Sequence, residues 1–270
     1  MFSASSRAPR VGRERRALTV SEVDHVKQIL HGMSAAEQSQ VLAHLRELLP
    51  KHPVETQLMI SAEGMLDAIA RSGDFTVRMI RGVFAESAFA ADVLPTLANS
   101  WRALPITGDP PYDFLLTDAR GDQVALPNSQ VKVQVKMQRS QGKVPLRADQ
   151  QWRTLVKWPS THFIVEIQKS RKGEKKGVST RPYRFGEFDL LAVSLGPSMG
   201  RWSAFMYTVE RWLLPNPDEP TQLLTFQPVA PSDNDCWTSD FKTAVQWLRS
   251  GVTKRIEGEI PKARSRKRRR

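Results

Sequence analysis

Two short segments carry side chains able to do chemistry together. Asp113 heads an apolar run, Phe114-Leu115-Leu116, and a strictly alternating stretch follows later, Gln130-Val131-Lys132-Val133-Gln134-Val135-Lys136. In an extended chain successive side chains point to opposite faces. Val131, Val133 and Val135 therefore share one face, and Gln130, Lys132, Gln134 and Lys136 share the other. Turn-forming residues lie between, Ala119-Arg120-Gly121-Asp122 and Pro127-Asn128-Ser129. If the two segments pair as a hairpin, Asp113 meets the polar face. A carboxylate that can hold a cation would then stand beside an amide and an ammonium group that can orient a water or take its proton.

Two registers satisfy this pattern, one using Gln130 and Lys132, the other Gln134 and Lys136. A connection over residues 118–129 has its midpoint between Gln123 and Val124 and sets Asp113 opposite Gln134. A tight turn at Arg120-Gly121 would favour the earlier pair. Pro127 cannot sit inside a paired strand, which favours the later one. The plain alternative to any chemistry is an amphipathic edge strand whose Lys and Gln side chains meet solvent.

An acidic residue opening one strand, followed by acceptor-x-Lys on the next, resembles the PD-(D/E)XK, or restriction-endonuclease-like, nuclease superfamily. The family's Pro-Asp stands here as Pro111-Tyr112-Asp113. Its D/E-x-K stands as Gln134-Val135-Lys136, a Gln-x-Lys variant. The resemblance implies Mg²⁺-dependent hydrolysis of DNA, with Mn²⁺ able to substitute. Asp113 would anchor the metal, Gln134 would bind it or its water, and Lys136 would orient or deprotonate the nucleophile. The family also places a Glu on the helix before the core sheet. Arg81-Gly82-x-x-x-Glu86 fits that position, so the resemblance makes Glu86 a further catalytic residue and metal ligand. A solvent-facing helical Glu is the ordinary alternative.

Other elements must hold this constellation. Thr19-x-x-Glu22 and Ser34-x-x-Glu37 have capping-box spacing. Val23, Val26, Ile29 and Leu30 recur at helical spacing, as do Val41, Leu42, Leu45, Leu48 and Leu49, so an N-terminal helical hairpin is expected, its stripes packing on the body or on a second copy. His25, His31, His44 and His52 lie in or beside it without a metal-site pattern. Residues 57–99 stay helical in pattern. Strands are expected over 161–168, 185–195, 202–209 and 222–226, a short helix over 148–157 with Trp152 and Leu155 inward, and a closing helix over 237–248. Phe188-Asp189-Leu190-Leu191 echoes the segment around Asp113, but no acceptor-x-Lys strand follows, so Asp189 reads as structural. Trp202, Trp212, Trp237 and Trp247 read as core. The order of elements is similar to the family's α/β αβββαβ core, a mixed sheet flanked by helices, over residues 75–210.

The chain has 270 residues, 40% of them hydrophobic, and one cysteine, Cys236. That allows one or two cored domains and excludes an internal disulfide or a multi-cysteine zinc site. No apolar run is long enough to span a membrane, and no secretory signal is evident, so a cytoplasmic location is expected. Net charge is +12, and most of it lies in tails: residues 261–270 carry seven basic residues and no acid, and residues 5–16 carry five Arg against Glu14. Such tails suit nonspecific phosphate attraction. Residues 169–184 add seven basic residues against Glu174, as a DNA-contacting arm between two strands of one sheet. Lys132, Gln138, Arg139, Lys169, Arg171, Lys172, Arg181, Tyr183 and Arg184 are the expected nucleic-acid contacts.

The expected organisation is a disordered basic arm (1–17), a helical hairpin (18–55), a nuclease-like α/β domain (56–250) and a disordered basic tail (251–270). The expected function is Mg²⁺-dependent cleavage of double-stranded DNA by a homodimer, most like a type II restriction enzyme. The alternative is a catalytically inactive DNA- or RNA-binding protein on the same scaffold. Neither nucleotide-binding Gly-rich fingerprint is present, so no nucleotide cofactor is expected.

Overall fold

The computed structural model describes residues 20–119, 129–142, 144–151, 157–169, 174–175, 178–179 and 181–262. The 120–128 turn, Arg171, Lys172, Trp152, Leu155, Thr19 and the ends of both charged tails lie outside these residues. The chain forms two compact units, Met1–Ala70 and Arg71–Arg270. The division falls after Ala70, so residues 56–70, expected in the α/β body, fall with the first unit.

That unit holds α1 (Val20–Gly32), α2 (Ala35–Leu48), α3 (Pro53–Leu58) and α4 (Ala62–Ala70). The Ser34–Glu37 capping box forms as its spacing predicts. Helices α2 to α4 bury no residue, and Val26, Ile29, Leu42 and Leu45 along the predicted stripes are exposed. Among the described residues no helix is long and apolar enough to cross a membrane.

The second unit is mixed α/β. It opens with α5 (Asp74–Ala88), which runs through a π-helical turn (Phe89–Val93) into α6 (Leu94–Leu97). A five-stranded mixed sheet follows: β1 (Trp101–Leu104), β2 (Phe114–Asp118), β3 (Gln130–Met137), then β5 (Leu190–Ser194) and β6 (Phe205–Val209), hydrogen-bonded in that order. Neighbouring strands are antiparallel except β3 and β5, which are parallel. The closing helix α7 (Phe241–Ser250) is capped by Asp240 and buries Phe241, Ala244 and Val245.

The aromatic core explains how α5 is fixed. Small Ala85 and Ala88 let the helix approach closely, and Phe89 inserts beside them, all three buried. The Phe89 ring lies 4.9 Å from Phe114 on β2, 5.5 Å from Phe205 on β6 and 6.5 Å from Phe241 on α7. Such ring pairs add to the burial of their area. At the helix's other half, Arg81 Nη1 donates to Ser140 Oγ (2.8 Å) and to the Gly142 carbonyl (2.9 Å), holding the segment just past β3.

Three expectations are corrected. Strand β4 (Phe163–Glu166) does not join the main sheet, because both edges of β3 are occupied by β2 and β5. It pairs with β7 (Phe226–Val229) in a separate two-stranded ladder, so the basic loop after it does not link two strands of one sheet. Strand β7 begins where the predicted 222–226 strand ends, and it tolerates Pro228 because it is paired on one edge only. The basic tail also starts later than residue 251. Ile256 is buried and its amide donates to the Trp212 carbonyl, while Trp158 Nε1 donates to the Glu259 carbonyl.

Candidate active site

Strand β3 sits mid-sheet, which removes the solvated-edge alternative for its polar face. Phe114 pairs with Val133 and Leu115 with Lys132, the register that sets Asp113 opposite Gln134. The Asp113 amide extends the pairing by donating to the Val133 carbonyl at 3.0 Å.

Asp113 is held tightly. Its Oδ2 accepts from the Val135 amide at 2.7 Å and from Gln134 Nε2. Gln134 is almost fully buried, with 1% of its surface exposed. Its nitrogen also donates to the Val135 carbonyl, and its Oε1 accepts from the Tyr183 hydroxyl at 3.0 Å. The oxygen that the resemblance turned toward a metal is turned toward Tyr183 instead.

Glu86, Asp113 and Lys136 converge here, each within electrostatic reach of the other two. Burial raises the pKa of Glu86, Asp113's negative charge raises it further, and the Lys136 ammonium opposes both. Burial likewise raises Asp113, opposed by Lys136 and by the Val135 amide bond. Burial lowers Lys136 while Asp113 and Glu86 pull it back up. Three charges of mixed sign thus share a poorly hydrated site, where their mutual interactions are strong.

Glu86 and Lys136 line a groove of about 720 Å³. Arg78, Arg139, Lys169 and Arg181 line it too, with Phe75, Met79 and Val83 of α5 as its apolar wall. Arg139 Nη1 pairs with Glu166 at 3.1 Å, and Lys169 Nζ with Glu187 at 2.6 Å. Of the expected nucleic-acid contacts, Arg139, Lys169 and Arg181 line this groove. Lys132 and Arg184 do not line the groove. The Lys132 ammonium lies 6.0 Å from the Tyr112 ring, and Arg184 Nη1 donates to Thr221 Oγ1.

Gln138 and Tyr183, also expected as contacts, are corrected by burial. Gln138 is fully buried and its Oε1 accepts from Ser198 Oγ. Tyr183 is 4% exposed and reaches inward to Gln134. Sequence reasoning passed over Arg78. Its signal was present: Arg78, Gly82 and Glu86 recur every four residues along one face of α5.

The donor set suits Mg²⁺. Two hard carboxylates, Glu86 and Asp113, lie within electrostatic reach of each other, and among the described residues no group of three His, Cys, Asp or Glu side chains is gathered for a metal. Mg²⁺ is ordinarily held by one or two carboxylates, with waters and substrate phosphate completing its shell.

No family model matches the chain, and no curated protein matches it by sequence. Among solved structures, it is similar to a bacterial homing endonuclease, I-Ssp6803I, at 14% identity and a TM-score of 0.30, covering 67% of this chain and 95% of that one.

Proposed function

We propose that the chain is a Mg²⁺-dependent endonuclease hydrolysing phosphodiester bonds of double-stranded DNA, on the plan of a PD-(D/E)XK type II restriction enzyme. One observation carries the reading. Glu86, Asp113 and Lys136 gather by the C-terminal half of β3, beside a groove bordered by four basic side chains.

Glu86 and Asp113 would hold the ion, which when bound neutralises phosphate charge and acidifies a water. Mn²⁺ would occupy the same oxygen donors. Lys136 is poised between two demands. Burial favours its neutral amine, which can take a proton from the attacking water, and the two carboxylates favour its ammonium, which can orient that water. Arg78, Arg139 and Arg181 offer planar forks that suit phosphate oxygens, with Lys169 adding a point charge. Cutting both strands of a duplex calls for two such sites, hence a homodimer.

A second reading, nucleic-acid binding without cleavage, is favoured by Gln134, whose neutral amide leaves the site with two carboxylates. Plasmid cleavage separates the two. Discrete bands with Mg²⁺ or Mn²⁺, abolished by EDTA and by Lys136→Ala, support the nuclease. Binding with no cut under either ion sinks it and leaves the binding protein.

A further inference from the structure

Tyr183 stands between Gln134 and the two lysines Lys136 and Lys169, and it is not among the residues that line the groove. Its hydroxyl donates to Gln134 Oε1, and Gln134 Nε2 donates to Asp113. The face of its ring lies 5.7 Å from the Lys136 ammonium and 5.2 Å from that of Lys169. Its ring meets Phe188 edge-on at 5.4 Å, which fixes its tilt. We infer that Tyr183 and Gln134 together form a positioning relay that orients Asp113 for a divalent cation, with Gln134 itself not a ligand. The inference rests on the proposed metal site.

A buried side-chain amide must match each of its two ends to a suitable partner. Asp113 Oδ2 already accepts from the Val135 amide, so the Gln134 atom facing it must be a donor, since a carbonyl oxygen there would repel the carboxylate. A primary amide has two ends, and fixing one fixes the other. The Asp113 carboxylate and the Val135 carbonyl, which can only accept, take the NH₂ end, and the Tyr183 hydroxyl, by donating to Gln134 Oε1, pins the oxygen end and holds the amide in that orientation. Oδ2 then carries two donors, and Oδ1 is the oxygen left for a cation. A glutamate at position 134 would bring a second anion against Oδ2 and could not serve this way. The neutral amide that departs from the family's acidic residue thus has a job of its own. The ring has a separate one: its π face attracts the ammonium of Lys136 and steadies it near the carboxylates.

The relay is tested on the full chain by titrating Mn²⁺ without DNA, following free ion by electron paramagnetic resonance. Tyr183→Phe removes only the hydroxyl and Gln134→Leu only the amide. Each is expected to weaken Mn²⁺ binding about 10-fold, the low end of what lost outer-shell partners cost. The double variant is expected to be no weaker than the worse single, because both changes break one chain of bonds. Tyr183→Leu, which also removes the ring, is expected to slow cleavage further at saturating metal, whereas Tyr183→Phe recovers its rate there. Tyr183→Phe with parental Mn²⁺ affinity overturns the relay, and if Gln134→Leu alone weakens binding, Gln134 is a ligand in its own right. Mn²⁺ binding unaffected by Asp113→Ala would overturn the metal site itself, a result distinct from failure of the relay.

Discussion

Two aspartates flank β3 and their sequence settings are close to interchangeable. Tyr112-Asp113-Phe114-Leu115-Leu116 enters β2, and Phe188-Asp189-Leu190-Leu191 enters β5. Both carboxylates accept a backbone amide of β3, Asp113 from Val135 and Asp189 from Lys132. Both backbone amides donate to β3 as well, to the carbonyls of Val133 and Lys132. What separates them is company. Asp113 shares its burial with Glu86, Lys136 and the Gln134–Tyr183 pair, and Glu86 and Lys136 in turn line a groove with basic borders. Asp189 closes a strand junction, and its carbonyl accepts the Glu210 amide. The lesson is that a short acidic motif shows where a carboxylate enters a sheet, while its neighbours decide whether it does chemistry.

Alanine at each position should break the symmetry most sharply. Asp113→Ala is expected to lower single-turnover cleavage by about 10³-fold or more, in line with losing a transition-state charge contact. Its stability should stay within about 1 kcal/mol of the parent, because relieving a carboxylate strained by burial offsets the lost bonds. Asp189→Ala should do the reverse. Leaving the Lys132 amide without its acceptor costs about 1–3 kcal/mol in urea unfolding, and cleavage per folded molecule is retained. Equal losses of activity in the two variants would defeat the comparison.

The two lysines of β3 extend the same contrast. Lys136→Ala is expected to slow cleavage about 10²–10⁴-fold at saturating Mg²⁺, the range for a positioned proton-transfer group. Lys132→Ala, which removes an ammonium resting by Tyr112, should stay within a few-fold. A larger effect at Lys132 would move the site one register toward Asp189.

Much of this contrast was legible beforehand. The hairpin register followed from where the turn residues fall and from Pro127, and it put Asp113 opposite Gln134 as found. Asp189 read as structural because no acceptor-x-Lys strand follows it. Glu86 was legible only through the resemblance, which places a Glu on the helix before the core sheet; its own sequence setting reads equally as a solvent-facing helical Glu. Tyr183 was not, because Arg181-Pro182-Tyr183-Arg184 has the composition of a contact surface. The hydroxyl's inward bond joins residues 49 apart, which no local pattern encodes. Gln138 failed likewise, since alternation along β3 does not say what covers a polar face. The partner of β4 was hidden for a related reason: pairing depends on which strand edges remain open once the main sheet has formed.

A buried acid on the Asp189 side gives a smaller and independent check. Glu210 is 5% exposed, and burial, only partly countered by the Gly186 amide, lifts its carboxyl to about 7. A carboxyl raised above its unfolded value binds its proton more tightly in the folded chain. Its favourable contribution is present below about pH 4.5 and is lost as pH rises to about 7. Glu210→Gln should therefore stabilise the protein by about 1–2 kcal/mol at pH 8 and leave it nearly unchanged at pH 4.5, read as unfolding midpoints at the two values. Cleavage should not respond, since the Glu210 carboxylate accepts from the Gly186 amide and is not among the groups that act electrostatically on Glu86, Asp113 or Lys136. A variant that loses activity in step with stability would tie the Asp189 side to the chemistry after all.

The smallest expected effect sharpens the groove itself. Arg78 lies on the α5 wall, its guanidinium 5.9 Å from the Phe75 ring, on the same helical face as Glu86. If it meets one phosphate, Arg78→Ala releases one fewer counterion on binding. The plot of log affinity against log salt should become shallower by about 1, with a few-fold weaker binding near physiological salt and equal losses on unrelated duplex sequences. Arg184→Ala, outside the groove with its guanidinium on Thr221, should leave that slope unchanged. Identical slopes for both variants and the parent would mean that DNA does not enter along the α5 wall, and the groove beside Asp113 would lose its claim to the substrate.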